Sequence, residues 1–453
     1  MATVVVGKYD GFSTRIGVLA ATLGSAVGLG NIWKFPYMTG TGGGAAFLIV
    51  YLLATLAVGL PVMIGEIMLG RAARADAVGT WRRLAPGSAW FLVGGAGVLA
   101  AFLIMAFYTD VVGWVFSFIV KAAMGELSSP DPKVGEIAFG NMISNTWGAL
   151  FWQWSVLALV GGLLVGGVTR GIEKTAKILM PVLFLMLVGV CVRSLTLPGA
   201  GEGLAFLFQP DFSKVTVDVV LNAMGLAFFK LSIGMGTMMT YGSYFRDDAD
   251  IPLTTLRVML ADLLVSLLAG VAIFPAVFNY GFTPSAGPGL LFMTMPAVFN
   301  LLPFGQLFMT IFFLLTGVAT IGAMLSLFEV PVAWFCGSGW MGRKQAVVAT
   351  AFGLALFGLP ATLSFSALSD VTLFGKSFFD IYDFLSSNLI LPVGGICICL
   401  FIGWRWGFPM AADALSNGGA LRNRWIVRLW FVLVRYITPA LVTLVLLKGL
   451  RVF

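Results

Sequence analysis

Two stretches decide how this chain folds: Ser25-Ala26-Val27-Gly28-Leu29-Gly30-Asn31 and Leu231-Ser232-Ile233-Gly234-Met235-Gly236-Thr237. Each sets a Gly-x-Gly into the middle of a long apolar run. Glycine inside a helix costs about 1 kcal/mol relative to alanine, so two matched pairs ask for a reason. Neither follows a strand, which excludes a dinucleotide-binding loop. Packing of membrane helices through small residues is one reading. The other is a pair of broken helices at corresponding places in a repeated array, with a binding site at the repeat interface. A helix unwound at mid-membrane frees N–H groups that suit a carboxylate and carbonyls that suit a cation. Such backbone survives in a bilayer only where it lines a cavity.

The surrounding composition makes the bilayer the solvent. Of 453 residues, 59% are hydrophobic and only 10% charged, with mean hydropathy +0.98; a soluble domain carries about 25% charged residues. The apolar runs have the length of one helix through the hydrocarbon core, and without strand-length alternation they exclude a β-barrel. The expected fold is all-α and integral to the membrane, one domain over 1–453. About eleven spans fall near 13–39, 44–69, 90–124, 150–168, 174–195, 216–245, 254–281, 304–336, 345–361, 378–403 and 425–448. The N-terminus shows no cleavable signal, because the apolar run after Arg15 outlasts one and lacks a small-residue cleavage site.

The net charge of +7 does not imply nucleic acid, because the basic residues lie between spans on alternate sides. Lys8, Arg15, Arg71, Arg74, Arg82, Arg83, Arg170, Lys174, Lys177, Arg246, Arg343, Lys344, Arg405, Arg422 and Arg424 fall on one side. The opposite connections, 125–148 and 196–215, carry Glu126, Asp131, Glu202 and Asp211. The positive-inside rule then makes the N-terminus cytoplasmic in a multi-pass protein of the cell membrane, with Phe453 outside. There is no histidine, and Cys191, Cys336, Cys397 and Cys399 lack zinc-ligand spacing. No nucleophile–base pair or metal cluster suggests an enzyme. The expected partners are a small molecule and the lipid bilayer, with no obligate protein partner evident.

Several motifs in order carry a family resemblance along nearly the whole chain: Arg15-Ile16-Gly17, Gly28-Leu29-Gly30-Asn31-Ile32-Trp33-Lys34-Phe35-Pro36-Tyr37, Gly42-Gly43-Gly44, Phe107-Tyr108, Arg170-Gly171-Ile172-Glu173-Lys174 and Tyr241-Gly242-Ser243-Tyr244. Together they resemble the neurotransmitter:sodium symporters. The resemblance implies five plus five inverted spans, here 13–195 and 216–403, with 425–448 as an accessory span. It implies a secondary active transporter working by alternating access. Monoamine carriers of the family have an aspartate at the position of Gly28; the amino-acid carriers have glycine, leaving room for the substrate's own carboxylate. By the same resemblance, the Leu29 and Gly30 N–H groups and the Tyr108 hydroxyl hold that carboxylate. Carbonyls near Ala26, Phe229 and Ser232 hold the amine, and Ile104, Phe229, Met235 and Leu327 form an apolar side-chain pocket. The implied substrate is a small hydrophobic amino acid. Lys34 and Asp383 match the outer gate, an ion pair above the site.

The ion positions depart from the family. Where the first sodium site has a threonine or serine hydroxyl, this chain has Lys230, and the seventh-span asparagine ligand is Asp262; Ala26 and Asn31 are retained. An ammonium at mid-membrane costs about 2.5–3.5 kcal/mol on insertion scales. The expectation is that Lys230 occupies the sodium position and pairs with Asp262 and the substrate carboxylate; a purely structural ion pair is the alternative. At the second site Gly24 and Val27 remain as carbonyl donors. The Thr-Ser pair becomes Gly322-Ala323, and Ala319 stands at the carbonyl position. The implied cofactor is therefore none, or one sodium ion at Gly24, Val27 and Ala319. The family default is sodium symport; proton-coupled or uncoupled carriage and a non-transporting sensor stay open. The inner gate pair is replaced by Tyr9 and Gly337. The chloride positions read Tyr51, Leu226 and Ser266, which points away from chloride dependence.

Overall fold

The computed structural model describes residues 11–281 and 289–452. Among them there is no strand, only an isolated bridge between Leu373 and Lys376. Nine helices are long and apolar enough to cross a membrane: Ala45–Ala73, Phe91–Met124, Thr146–Leu164, Val168–Leu195, Ile251–Asn279, Gly305–Gly337, Arg343–Leu363, Phe378–Leu415 and Arg424–Gly449. A tenth crossing is the pair Arg15–Ala26 and Gly30–Thr41, bent by 53° at its break. Val217–Lys230 and Thr237–Ser243 make the other interrupted segment. Counted as one, it brings the number to the expected eleven and takes sixth place.

Side-chain caps set several of the span starts. Thr14 accepts from Gly17 N to start the first helix, and Asp250 accepts from Leu253 N to start the seventh span at Ile251 rather than 254. The fourth and fifth spans begin earlier than expected, at Thr146 behind an Asn145 cap and at Val168 through a π-helical turn. The tenth runs on to Leu415 through another π-helical turn at Phe401–Trp406. Hydrophobicity alone cannot register those turns. The connections are also more helical than expected, holding Pro132–Ser144 and Ala200–Phe208. Span 3, Phe91–Met124, packs along span 8, Gly305–Gly337, through the centre.

Polar contacts gather the basic connections at one end. Glu173 accepts from Ser13 N, Ser13 Oγ, Thr14 Oγ1 and Lys177 Nζ at 2.6–2.8 Å. Arg15 pairs with Asp248 at 2.8 Å, and Arg246 holds the same carboxylate at 3.0 Å. Those two guanidinium contacts pull the Asp248 carboxyl down to about 2. Arg74 reaches Asp247 and the Phe245 carbonyl.

At the same end Arg343 grips the fully buried Glu329 with two N–H groups at 2.9 and 2.7 Å, and the Tyr244 hydroxyl donates to it at 2.7 Å. Removing one member of such a pair leaves a buried charge uncompensated, a loss of roughly 3–5 kcal/mol. We therefore predict that Arg343→Gln lowers the melting temperature in detergent strongly, and that adding Glu329→Gln restores part of it. Equal melting of Arg343→Gln and the parent would remove this role. Lys8, Tyr9 and Phe453 lie outside the described residues.

Candidate functional site

The two breaks meet. The first helix ends at Ala26, with Val27 extended (φ −83°, ψ 113°), and resumes in a π-helical turn at Gly30–Lys34. The sixth ends at Lys230 and resumes at Thr237. Between them Ser232, Gly234 and Gly236 have φ of +53°, +80° and +73°. Left-handed backbone favours glycine, which accounts for the second pair. The first pair has another cause, close approach. A Cβ at Gly28 would stand 3.1 Å from the Ala323 methyl and 3.3 Å from the Tyr108 hydroxyl, and one at Gly30 would stand 3.0 Å from Lys230 Cγ. The Ser232 hydroxyl donates to the Ser25 carbonyl at 2.9 Å, tying one break to the other. Glu66, fully buried on span 2, accepts from Gly234 N at 2.5 Å. Glu66 was not singled out from sequence, although a lone acid inside an apolar run is itself a signal.

A cavity of about 40 Å³ lies between the breaks. Ala26, Gly28, Gly30, Ile104, Tyr108, Phe229, Ser232, Met235 and Leu327 line it, with Lys230 and Ala323. Of the substrate positions expected from sequence, only Leu29 is absent; it faces the adjoining cavity, and its N–H donates to the Tyr108 hydroxyl at 3.4 Å. The volume suffices for about three waters, so a larger occupant would have to widen it. The adjoining cavity, about 200 Å³, is bounded by Lys34 and Asp383 together with Trp33, Tyr37, Phe107 and Phe379. Lys34 and Asp383, expected as a gate pair, thus face one space without pairing. Lys34 Nζ lies over the Phe229 ring, 4.4 Å from its centroid, and Asp383 accepts from Ser387 Oγ at 2.8 Å.

Lys230 and Asp262 are in contact. Lys230 Nζ stands 2.9 Å from Asp262 Oδ2, both side chains almost wholly enclosed. The ammonium also donates to Ser266 Oγ and lies 4.9 and 5.0 Å from the Phe35 and Tyr51 rings. Asn31 Nδ2 donates to Asp262 Oδ1 at 2.6 Å, to the Asp262 carbonyl at 3.1 Å and to Ser266 Oγ at 3.0 Å. The Asn31 Oδ1 accepts from Gly28 N at 3.2 Å. The first break, span 6 and span 7 therefore share one buried polar cluster centred on a tethered cation.

A sodium ion needs oxygen ligands, and side-chain oxygens are depleted at both expected positions. At the first, the Lys230 ammonium stands against Asp262, which also holds Asn31. At the second, Gly322 is pressed against Gly24: a Cβ there would stand 2.6 Å from the Gly24 carbonyl oxygen. Gly322, Ala323 and Ala319 bring no side-chain oxygen. The nearby Thr316 and Thr320 hydroxyls donate to the Phe312 and Gly317 carbonyls of their own helix, at 2.8 and 2.7 Å, and keep their oxygen lone pairs. The Val27 carbonyl lies at the same break. At the Gly337 position, where the family has an acid, a side chain would run into the Asp76 carboxylate. Asp76, which caps the helix Ala77–Leu84, went unnoticed in the sequence because only the fold brings it there.

A helical membrane protein with two spans broken around a central cavity has the build of a carrier. The comparisons name the kind. The sequence model of the Sodium:neurotransmitter symporter family matches residues 9–131 and 136–453. An uncharacterized sodium-dependent transporter of Bacillus subtilis, YhdH, is 40% identical over 437 residues, covering 96% of this chain and 97% of that protein. An uncharacterized sodium-dependent transporter of Haemophilus influenzae is 32% identical, covering 97% of this chain and 98% of its own. The crystal structure of MhsT in complex with L-phenylalanine superposes with a TM-score of 0.88 at 41% identity, over 97% of this chain and 99% of that one. This chain belongs to the sodium:neurotransmitter symporter family, a family of membrane transporters and not of enzymes.

Proposed function

We infer that the protein carries a small hydrophobic amino acid across the cell membrane by alternating access, with Lys230 standing in for the sodium ion nearest the substrate. The carrying observation is the Lys230–Asp262 contact beside a cavity walled by Gly28 and Tyr108. The ammonium, the Tyr108 hydroxyl and the freed N–H groups of Leu29 and Gly30 offer a carboxylate its donors. Carbonyls at Ala26, Phe229 and Ser232 offer an amine its acceptors. Ile104, Met235 and Leu327 leave only apolar contact for the side chain, in keeping with the L-phenylalanine held by MhsT.

On this reading the repeats are 13–195 and 216–403, with 425–448 accessory. The end carrying Arg15, Arg74 and Arg343 is cytoplasmic. Lys34 and Asp383 close over bound substrate from the other end. Because a lysine makes no bidentate pair with a carboxylate, the gate is looser than an arginine one. Sodium dependence is the family's property; in this chain the oxygen sets at both expected positions are depleted. Coupling therefore falls to at most one sodium at a remade second site, or to a proton.

The deciding experiment is uptake of radiolabelled L-phenylalanine and L-leucine into proteoliposomes under sodium and proton gradients imposed one at a time. Binding without flux under every gradient would make the protein a sensor rather than a carrier. A second test addresses the carboxylate. Phenylalanine at high concentration should raise the melting temperature, since stabilisation grows with the logarithm of ligand over dissociation constant; phenethylamine should not. Equal stabilisation by the two would remove the role given to Gly28.

A further inference from the structure

A cavity with cationic walls lies outside the site described so far. About 380 Å³ in volume, it sits beside the gate between spans 1, 6, 10 and 11. Its walls carry four cationic side chains, Lys34, Lys376, Lys448 and Arg451, and no carboxylate among its lining residues. Lys448 is compensated by Asp218, outside the lining, at 2.8 Å, and donates to Asn222 Oδ1 within it at 3.0 Å. The other three have no carboxylate within ion-pair distance among the described residues. Lys376 Nζ instead lies 4.9 Å from the Phe384 ring centroid, as Lys34 lies over Phe229. Aromatic faces attract cations but do not neutralise them. Of the remaining polar lining, the Asn222 and Asn388 amides can also donate, while the Ser387 hydroxyl is already given to Asp383.

Three uncompensated cations around a concavity of ligand size define a host for an anion. Charge-assisted hydrogen bonds are the strong ones, and a guanidinium and ammonium groups together match a phosphate best. The cavity shares Lys34, Tyr37 and Phe229 with the space above the substrate site. Lys34 is thus the wall between two compartments, one holding Asp383 and the other holding the cations. Its ammonium can serve only one at a time.

We propose that this side pocket binds a phosphate-class anion, which draws Lys34 away from Asp383 and so opposes closure over substrate. The regulatory half rests on the gate reading above; the anion site itself does not. The anion is either free in solution or the headgroup of an acidic lipid, because span 11 forms one wall. Occupancy lowers the fraction of molecules able to close, and apparent substrate affinity falls by that fraction.

The test uses the full chain and the variant Lys376→Gln/Arg451→Gln, which touches neither the substrate cavity nor the gate pair. Inorganic phosphate, titrated in detergent against sodium chloride of equal ionic strength, should raise the melting temperature of the parent. The variant should need roughly a hundredfold more phosphate. Phosphate should also weaken L-phenylalanine binding several-fold in the parent and not in the variant. If a lipid is the source, bilayers of phosphatidylglycerol with phosphatidylcholine weaken binding relative to phosphatidylcholine alone, and the variant abolishes the difference. If a free anion is the source, the two bilayers agree and added phosphate acts in both. No stabilisation beyond that of chloride, with no lipid difference, overturns the site. Stabilisation without any change in phenylalanine affinity overturns the link to the gate. Absence of phenylalanine binding in every condition counts against the proposed function instead, and leaves the phosphate titration readable.

Discussion

Lys230→Ala should be more damaging than replacing Lys230 and Asp262 together. The alanine leaves Asp262 enclosed with its only cation gone, and buried pairs broken from one side lose roughly 3–5 kcal/mol. The double change Lys230→Thr/Asp262→Asn removes both charges and restores the hydroxyl and amide that the family uses at this place. Asn31 can still donate to residue 262, since its present acceptors there are one side-chain oxygen and the backbone carbonyl. We predict that the double variant melts closer to the parent than the alanine does. We also predict that its L-phenylalanine affinity becomes sodium-dependent, while the parent's shows no sodium bound at this position.

The reason is mechanistic. A sodium ion that leaves with each cycle carries gradient energy, whereas a tethered ammonium supplies charge and nothing that dissipates. The measurement is affinity against sodium concentration, with choline keeping ionic strength constant, in the parent and both variants. If Lys230→Ala binds and transports as the parent does, the lysine is not a surrogate cation.

The sequence made the two breaks legible because glycine in a hydrophobic helix is costly enough to be informative. It did not say why each glycine is there. Gly234 and Gly236 answer to backbone conformation, while Gly28 and Gly30 answer to Ala323, Tyr108 and Lys230, contacts between residues far apart in the chain. The Lys230–Asp262 pair was legible because an unexpected charge and its alignment partner changed together. Lys34 and Asp383 were expected as a pair, yet in this structure each has found another partner, Phe229 and Ser387. Motif matching suggests a pair and cannot report whether the two side chains meet. Glu329 is an acid inside an apolar run, and its grip on Arg343 needed the fold. The cationic side pocket was out of reach for the same reason, because Lys376, Lys448 and Arg451 look like ordinary inter-span charges until spans 10 and 11 are placed.

The second ion position yields an equally large effect of a different kind. In this protein spans 1 and 8 touch backbone to backbone, with Gly322 against Gly24. A Cβ at 322 would lie 2.6 Å from the Gly24 carbonyl oxygen and 3.2 Å from its Cα. Any side chain there must push the spans apart, and overpacking of this sort costs about 1–3 kcal/mol. Gly322→Thr/Ala323→Ser brings that strain together with two hydroxyls, one beside the Gly24 carbonyl and one on the side that faces Gly28. Sodium settling among those oxygens stabilises by the logarithm of its concentration over the dissociation constant, about 2.7 kcal/mol at a hundredfold excess. Strain and rescue are therefore of similar size. We predict that the double variant melts well below the parent in choline and recovers most of the loss in sodium. Gly322→Ala, which adds the strain without an oxygen, should melt low in both salts. The parent, with glycine and alanine at 322 and 323, should gain little from sodium here. An equal sodium response in Gly322→Ala and the double variant would mean that the strain is relieved elsewhere, and that the gap between Gly24 and Gly322 is not where this fold accepts an ion.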